Sequence, residues 1–375
     1  MHQHHHAFSS LFSVNMGHKS GERIVVFSDT IRADETMTPE DRDRRTRLVM
    51  TARSLADYAM EQLGNSLFID FPATLASGVE PPEIVWRAIY GNVAIDIMQS
   101  IEVFPRILSK KASADDLERA AQIIREHADD LADIVIALSN NSTSHTNFRK
   151  LACSVKTRFA SLPHFEPDMF NTSMCVDWQA LSDRTERLVQ ALNTGDWIHV
   201  SAPNGTNMHI CKEGRWAEGD DGILTASGSF GNLPAGEAYL APLEGKSHGK
   251  IVLEWGPTAQ LQSPLTLTVQ NGIVVTIEGG DPLRERLESL FTTNEACRNL
   301  AELGIGTNDK ASRPDNVLEA EKILGTIHLA LGDNMGFGGT VSAPFHEDYV
   351  IYNPTVTVKD GSHHHVIIDA GRFLI

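Results

Sequence analysis

The sequence predicts two fold types in series: an N-terminal open α/β sheet domain, then a mainly antiparallel β domain. Three observations support this. Up to about residue 195, short β-branched runs alternate with segments of helical period, the pattern of parallel strands joined by crossover helices. From Asp196 onward the chain breaks into short runs with period-2 alternation, separated by Gly, Pro or Asn. An amphipathic segment, 176–193, bridges the two halves.

In the first half, ERIVVFSDT (22–30) reads as a strand. The segment 39–64 carries Leu48, Ala52, Leu55, Ala59 and Leu63 at helical spacing and stops at Gly64. NSLFIDFPA (65–73) is a second strand, and 83–104 is a helix or a broken pair. Residues 112–131 form a well-signalled helix, with Ser113 as N-cap and acids in the first turn. ADIVIALSN (132–140) returns to strand. In the second half WIHVSAP, NMHICKEG, GEAYLAPLEG, GKIVLEW, PLTLTVQNGIVVTIEGG and DYVIYNPTVTVKDG read as antiparallel strands, and one helix, 281–303, interrupts them. The expected divisions are a disordered or tag-like terminus over 1–20, an α/β domain over 21–195 and a second domain over 196–375.

Composition narrows the function classes. With 375 residues, 41% hydrophobic and 22% charged, the chain is long enough for two ordinary globular domains. A net charge of -17 argues against nucleic acid or an anionic membrane surface as partner, because both repel it. No window approaches 18 uninterrupted apolar residues, so no membrane span is expected. The first residues lack the basic-then-apolar order of a secretory signal, and His2, His4, His5 and His6 read as a tag remnant or a frayed tail. Cys153, Cys175, Cys211 and Cys297 are scattered without a C-x-x-C pair, which suits reduced thiols and a cytoplasmic address. The first domain has no G-x-G-x-x-G after its first strand and no G-x-x-x-x-G-K-[ST], so nothing points to a nucleotide there.

The chemistry-bearing residues concentrate in the second half. In 346-HED-348 a strand places His346 and Asp348 on one face and Glu347 on the other. That pair offers compact N and O donors to a divalent metal. His328 sits among leucines in TIHLAL. Glu302 precedes a glycine pair in ELGIGTN, and Glu237 leads into an apolar strand in GNLPAGE. Each alone is an ordinary core histidine or strand-end acid. Buried together, three carboxylates and two imidazoles need cations, and the donor mix suits two hard-to-borderline divalent ions. The loop GDNMGFGG (332–339) reads as a mobile lid or a plain hairpin loop, and SHHHV (362–366) as an exposed strand start.

Taken in order, GNLPAGE, ELGIGTN, EKILGTIHLALGDN and HEDYVI resemble the M29 metallo-aminopeptidases, the aminopeptidase T or thermophilic leucyl aminopeptidase group, over about 197–360. The resemblance implies two divalent ions (Zn, Co or Mn) held by Glu237, Glu302, His328, His346 and Asp348. It also implies Glu302 or Glu321 as the acid that moves a proton during peptide cleavage, and a homodimer. A tyrosine usual in that family after the HLALG histidine is replaced here by the stretch Asp333-Asn334-Met335. The same region is similar to the dihydroxypyridine ring-cleaving dioxygenases. They would hold one Fe(II) by two histidines and an aspartate, with His346 and Asp348 matching and Glu302 where their other histidine stands, so that a facial triad here would be made from His328, His346 and Asp348 instead. The expected function is therefore a metal-dependent hydrolase, an aminopeptidase releasing N-terminal residues from a peptide or small amide through a two-metal-activated water. An Fe(II) dioxygenase and a non-catalytic metal-stabilised binding protein are the alternatives.

Overall fold

The computed structural model describes residues 4–375, apart from the side chain of Val317. The chain divides into two compact units, Met1–Cys175 with Gly222–Pro234, and Val176–Asp221 with Ala235–Ile375.

The first unit is built on a five-stranded parallel sheet in the order β2-β1-β3-β4-β8. Its strands are β1 (Ile24–Thr30), β2 (Ser66–Pro72), β3 (Ile134–Ala137), β4 (Arg158–Ser161) and β8 (Phe230–Asn232). The centre of the sheet reads as uninterrupted apolar runs, IVVF in β1 and IVIA in β3, because both faces are covered. The helix Pro39–Leu63 starts where the Thr38 hydroxyl accepts from the Asp41 amide and ends at Gly64, whose φ of 94° is a left-handed cap. Ser113 and Asp116 form a reciprocal capping box at the start of Ala114–Glu126. The segment 83–104 resolves into more than one helix, Glu83–Tyr90 and Asn92–Ser100, broken at Gly91, followed by Val103–Leu108. Under the sheet, Trp86 and Phe148 meet edge-to-face at 5.2 Å, and Phe148 meets Phe159 at 6.0 Å. Such pairs contribute roughly 0.5–1.5 kcal/mol each beyond their buried area.

Two expectations for this part need correction. The N-terminal residues are not a frayed tag. His5–Ser10 is helical, and Ala7, Phe8, Leu11, Phe12 and Met16 are buried. Their apolar periodicity outweighs the histidine composition; His2 lies outside the described residues. The boundary also falls at 175/176 rather than near 195. The helix Trp178–Leu192 buries Leu188 and Leu192 in the core of the second unit, so it belongs there and is not a bridge. Because β8 comes from 222–234, the first unit is discontinuous in sequence, which contiguous reading cannot show.

The second unit has two antiparallel sheets. The larger runs β12-β11-β10-β6-β5-β16-β17-β18, and the smaller β15-β14-β13-β9-β7. The larger sheet contains β5 (Trp197–Ser201), β6 (Asn207–Cys211), β10 (His248–Trp255), β11 (Gln260–Gln270), β12 (Ile273–Glu278), β16 (Thr355–Asp360), β17 (His363–Asp369) and β18 (Arg372–Phe373). The smaller contains β7 (Glu218–Asp220), β9 (Glu237–Leu240), β13 (Leu300–Gly306), β14 (Ile327–Gly332) and β15 (His346–Ile351). Both contribute to one core, including Ile198, Val200, Leu253 and Leu267 from the larger sheet and Leu303, Ile305, Leu329 and Tyr349 from the smaller. The expected helix 281–303 ends at Thr293, and Leu300–Gly306 is a strand buried on both faces. The glycines of LAELGIG disfavour helix, and the fully buried run suits a central strand. No described helix is long and apolar enough to cross a membrane.

Candidate metal centre

The smaller sheet aims all five predicted donors at one face. β13 pairs with β14 so that Gly304 faces His328 and Glu302 faces Ala330; β14 pairs with β15 so that Ala330 faces Asp348 and Gly332 faces His346. β9 places Glu237 opposite Gly306 and Tyr239 opposite Gly304. Cross-strand partners share a face, so Glu237, Glu302, His328, His346 and Asp348 project from the same side. The glycines and Ala330 between them leave the volume the donor side chains fill. A Cβ at Gly304 would lie 1.9 Å from Nε2 of His328.

The donors converge. Nε2 of His328 lies 3.2 Å from Glu237 Oε2 and 3.4 Å from Glu302 Oε1. Nε2 of His346 lies 3.4 Å from Glu302 Oε2 and 3.7 Å from Asp348 Oδ2. Glu302 thus turns one oxygen to each imidazole. Three donor groups are compact enough for an ion among the described residues: Glu237–Glu302–His328, Glu302–His346–Asp348 and Glu321–His328–Asp348. Glu321, which the family resemblance offered as a proton-moving acid, is therefore in the cluster. His328 is 1% exposed and His346 is 31% exposed, so the centre is reached from the His346 side. A small recess lined by Trp255, Pro257, Pro314, Glu321 and Asp348 also opens onto it.

The residues present fit a divalent cation. Asp348 Oδ1 is buried with no hydrogen-bond partner, and Glu237 Oε2 crowds toward the same imidazole at 3.2 Å, a costly gathering of carboxylate oxygens unless an ion holds them. The Nδ1–H of His346 donates to the carbonyl of Asp333 at 2.7 Å, which leaves Nε2 directed into the cluster. This outer contact is the one that orients metal-ligating histidines. The loop behind it is ordered by Asn334, whose Oδ1 accepts from the Val341 amide and whose Nδ2 donates to Glu244. It is a folded loop around a buried asparagine, closer to the hairpin expectation than to a lid. Glu347 points away, where Tyr349 donates to it at 2.5 Å, so Tyr349 stands outside the centre as its strand parity requires.

Excess negative charge sets the titration of the cluster. Burial alone would lower the His328 pKa, but the hydrogen bond with Glu302 and the charges of Glu237 and Asp348 outweigh it and raise it to about 9. Burial opposes the charged form of His346 too, and Asp348 and Glu302 overcome it, to about 12. Burial would raise Asp348, yet His346 holds it well below the usual carboxylate range. Glu321 goes the other way, pushed up to about 8 by burial and by Glu237 and Asp348, against the opposing pull of Lys322.

Sequence reasoning missed two members. Lys322 is 3% exposed; its ammonium contacts Glu237 and lies 3.0 Å from Glu321 and 3.7 Å from Asp220. Burial disfavours its charge, but Glu237, Glu321 and Asp220 hold its pKa well above the ordinary lysine value. Asp220 arrives on β7, opposite Glu237. The adjacency Glu321-Lys322 was visible in the sequence, but nothing local marks a lysine as buried.

A family profile described as NicX: 2,5-dihydroxypyridine 5,6-dioxygenase matches residues 108–375. Among solved structures, 2,5-dihydroxypyridine dioxygenase from Pseudomonas putida KT2440 is similar with a TM-score of 0.67 at 16% identity, covering 99% of this chain and 96% of that one. Wild-type AmpT from Thermus thermophilus is similar with a TM-score of 0.59 at 14% identity, covering 99% of both chains. At these identities the likeness shows a shared fold. No curated protein sequence matches the chain. The sequence motifs rank the aminopeptidase group first, whereas the family profile falls on the dioxygenase side; the fold is common to both.

Proposed function

Since the chain belongs to the family described as NicX, 2,5-dihydroxypyridine 5,6-dioxygenase, an enzyme family, we propose that its second unit is a metal-dependent catalytic centre, and that this centre hydrolyses a small amide, releasing the N-terminal residue of a peptide. One observation carries the hydrolytic reading: the two imidazoles fall in different donor groups, each with two carboxylates. A mononuclear Fe(II) centre with open positions calls for two imidazoles and one carboxylate on the same ion. A set with one imidazole and two carboxylates suits Zn, Co or Mn acting as a Lewis acid.

A bound divalent ion would supply an activated water and polarise the scissile carbonyl. The chain's own residues do the rest. Glu302, His346 and Asp348 would hold the ion, with His346 oriented by the hydrogen bond from its Nδ1 to the Asp333 carbonyl. The Glu321 carboxyl, beside His328 and Asp348 and 3.0 Å from the Lys322 ammonium, is placed to relay a proton to the leaving amine. Trp255 and Pro257 wall the recess and limit water.

The dioxygenase reading is the second, and the family match over 108–375 favours it. The two separate cleanly. Purified protein is assayed for metal content, for release of amine from aminoacyl amides, and for oxygen uptake with 2,5-dihydroxypyridine. Amide hydrolysis with Zn, Co or Mn supports the first reading. Oxygen consumption that tracks Fe(II), with no amide cleavage, replaces it with the second.

A further inference from the structure

We propose that His209 and His248, a cross-strand pair on the larger sheet, form a second metal site that takes Cu2+, with His199 stacked behind His209 as its backing. The site is independent of the centre on the smaller sheet and of the reaction proposed for it.

β5, β6 and β10 lie side by side, and their register sets His199 opposite His209 and His209 opposite His248. Their neighbours Ile198, Val200, Met208 and Ile210 enter the core, so the imidazoles stand in a row on the other face. Residues directly opposite have Cβ atoms about 4.5–5.5 Å apart, close enough for two imidazoles to reach one ion. The His209 ring lies 4.5 Å from His199 at 15° and 5.2 Å from His248 at 22°. Among the described residues nothing hydrogen-bonds to the His209 nitrogens. His199 is fixed, its Nε2 2.9 Å from Asn207 Oδ1. His248 is exposed, with one long contact of 3.5 Å from Nδ1 to the Lys246 carbonyl. Its ring can turn out of the stack and direct Nε2 toward an ion held in the plane of His209.

The surroundings select the ion. The rows flanking the imidazoles hold Lys250, Asn207 and Ser201 on one side and Cys211, Trp197 and Lys359 on the other, with no carboxylate. The charge of Lys359 acts on the His209 ring, which disfavours ions held by charge alone. Imidazole without carboxylate suits borderline ions, and Cu2+ stands highest in affinity for such donors. The carboxylate-rich centre on the smaller sheet has the opposite character.

The test titrates Cu2+ into the full-length chain and reads it by elemental analysis, electron paramagnetic resonance and tryptophan emission. The unmutated chain binds one more equivalent than His209→Ala. That ion couples to two imidazole nitrogens and quenches Trp197, whose ring lies 6.1 Å from His248. Trp197→Phe keeps the uptake and loses the quenching. His248→Ala, at an exposed position, weakens uptake by more than the roughly 10–100-fold cost of losing an outer partner. It gives the answer even where His209→Ala does not fold. His199→Ala keeps the equivalent, and excess Mg2+ or Mn2+ does not displace it. Equal uptake by the unmutated chain, His209→Ala and His248→Ala overturns the proposal and assigns the copper to other histidines. Loss in His199→Ala with His248→Ala unaffected also overturns it. Because the variants share the same centre on the smaller sheet, the difference is read whether or not that centre binds metal.

Discussion

Gly304 lies directly across from His328 on the neighbouring strand, and a methyl group added there would fall 1.9 Å from the imidazole Nε2. The empty side of that glycine is the space in which the imidazole rests. Gly304→Ala should therefore displace the ring without unfolding the sheet. Overpacking of this kind costs about 1–3 kcal/mol. We expect a lower melting temperature together with a change in metal affinity, measured by calorimetry. A variant that keeps wild-type affinity would show that His328 is not placed by this contact.

Asp348→Asn and His346→Ala each remove a donor from the Glu302–His346–Asp348 group. Affinity for the divalent ion should fall by more than the 10–100-fold typical of losing an outer partner. Activity should fall with it, while circular dichroism is unchanged. Full metal content in either variant would exclude that group as the ion's seat.

The loop that fixes His346 offers a milder perturbation. Asn334 is fully buried and ties Val341 and Glu244 together, next to the Asp333 carbonyl that receives the His346 Nδ1–H. Asn334→Ala should weaken metal binding about 10–100-fold, although residue 334 touches no donor. Unaltered binding would mean that β15 alone orients the imidazole.

The metal-free centre should titrate in a definite sense. Both imidazoles are raised above the ordinary 6.5, His328 to about 9 and His346 to about 12. The stability they contribute is complete below pH 6.5 and is lost for His328 as pH rises through about 9. Ion uptake must displace these protons, so affinity should climb roughly tenfold per pH unit for each proton released. Calorimetry at pH 7 in buffers of different ionisation enthalpy should register proton release. Uptake without it would contradict protonated imidazoles.

The N-terminal helix makes a separate prediction. Phe8 is buried against Phe170 at 5.0 Å, and Phe12 is 1% exposed. Phe12→Ala should cost about 3–5 kcal/mol, as buried aromatic truncations do. Chemical denaturation measures it; a change under 1 kcal/mol would restore the reading of a dispensable tail.

The sequence by itself determined whatever depends on period. The two-residue repeat of a strand put His346 and Asp348 together and turned Glu347 and Tyr349 away, and the capping signals at Gly64 and Ser113 marked helix ends that the structure keeps. Antiparallel character after Asp196 followed from the same repeat. Only the tertiary structure decided the rest. Glu302 moved from an expected helix to a central strand because burial on both faces erases alternation. Lys322 became part of the centre because Glu237 and Asp220, from other strands, join its sequence neighbour Glu321 around it, and no local pattern announces a partner 85 residues away, as Glu237 is. The return of 222–234 to the first sheet is likewise a matter of which strand edge was open. Local physics fixes the face a side chain presents; what meets it there is decided by packing between distant parts of the chain.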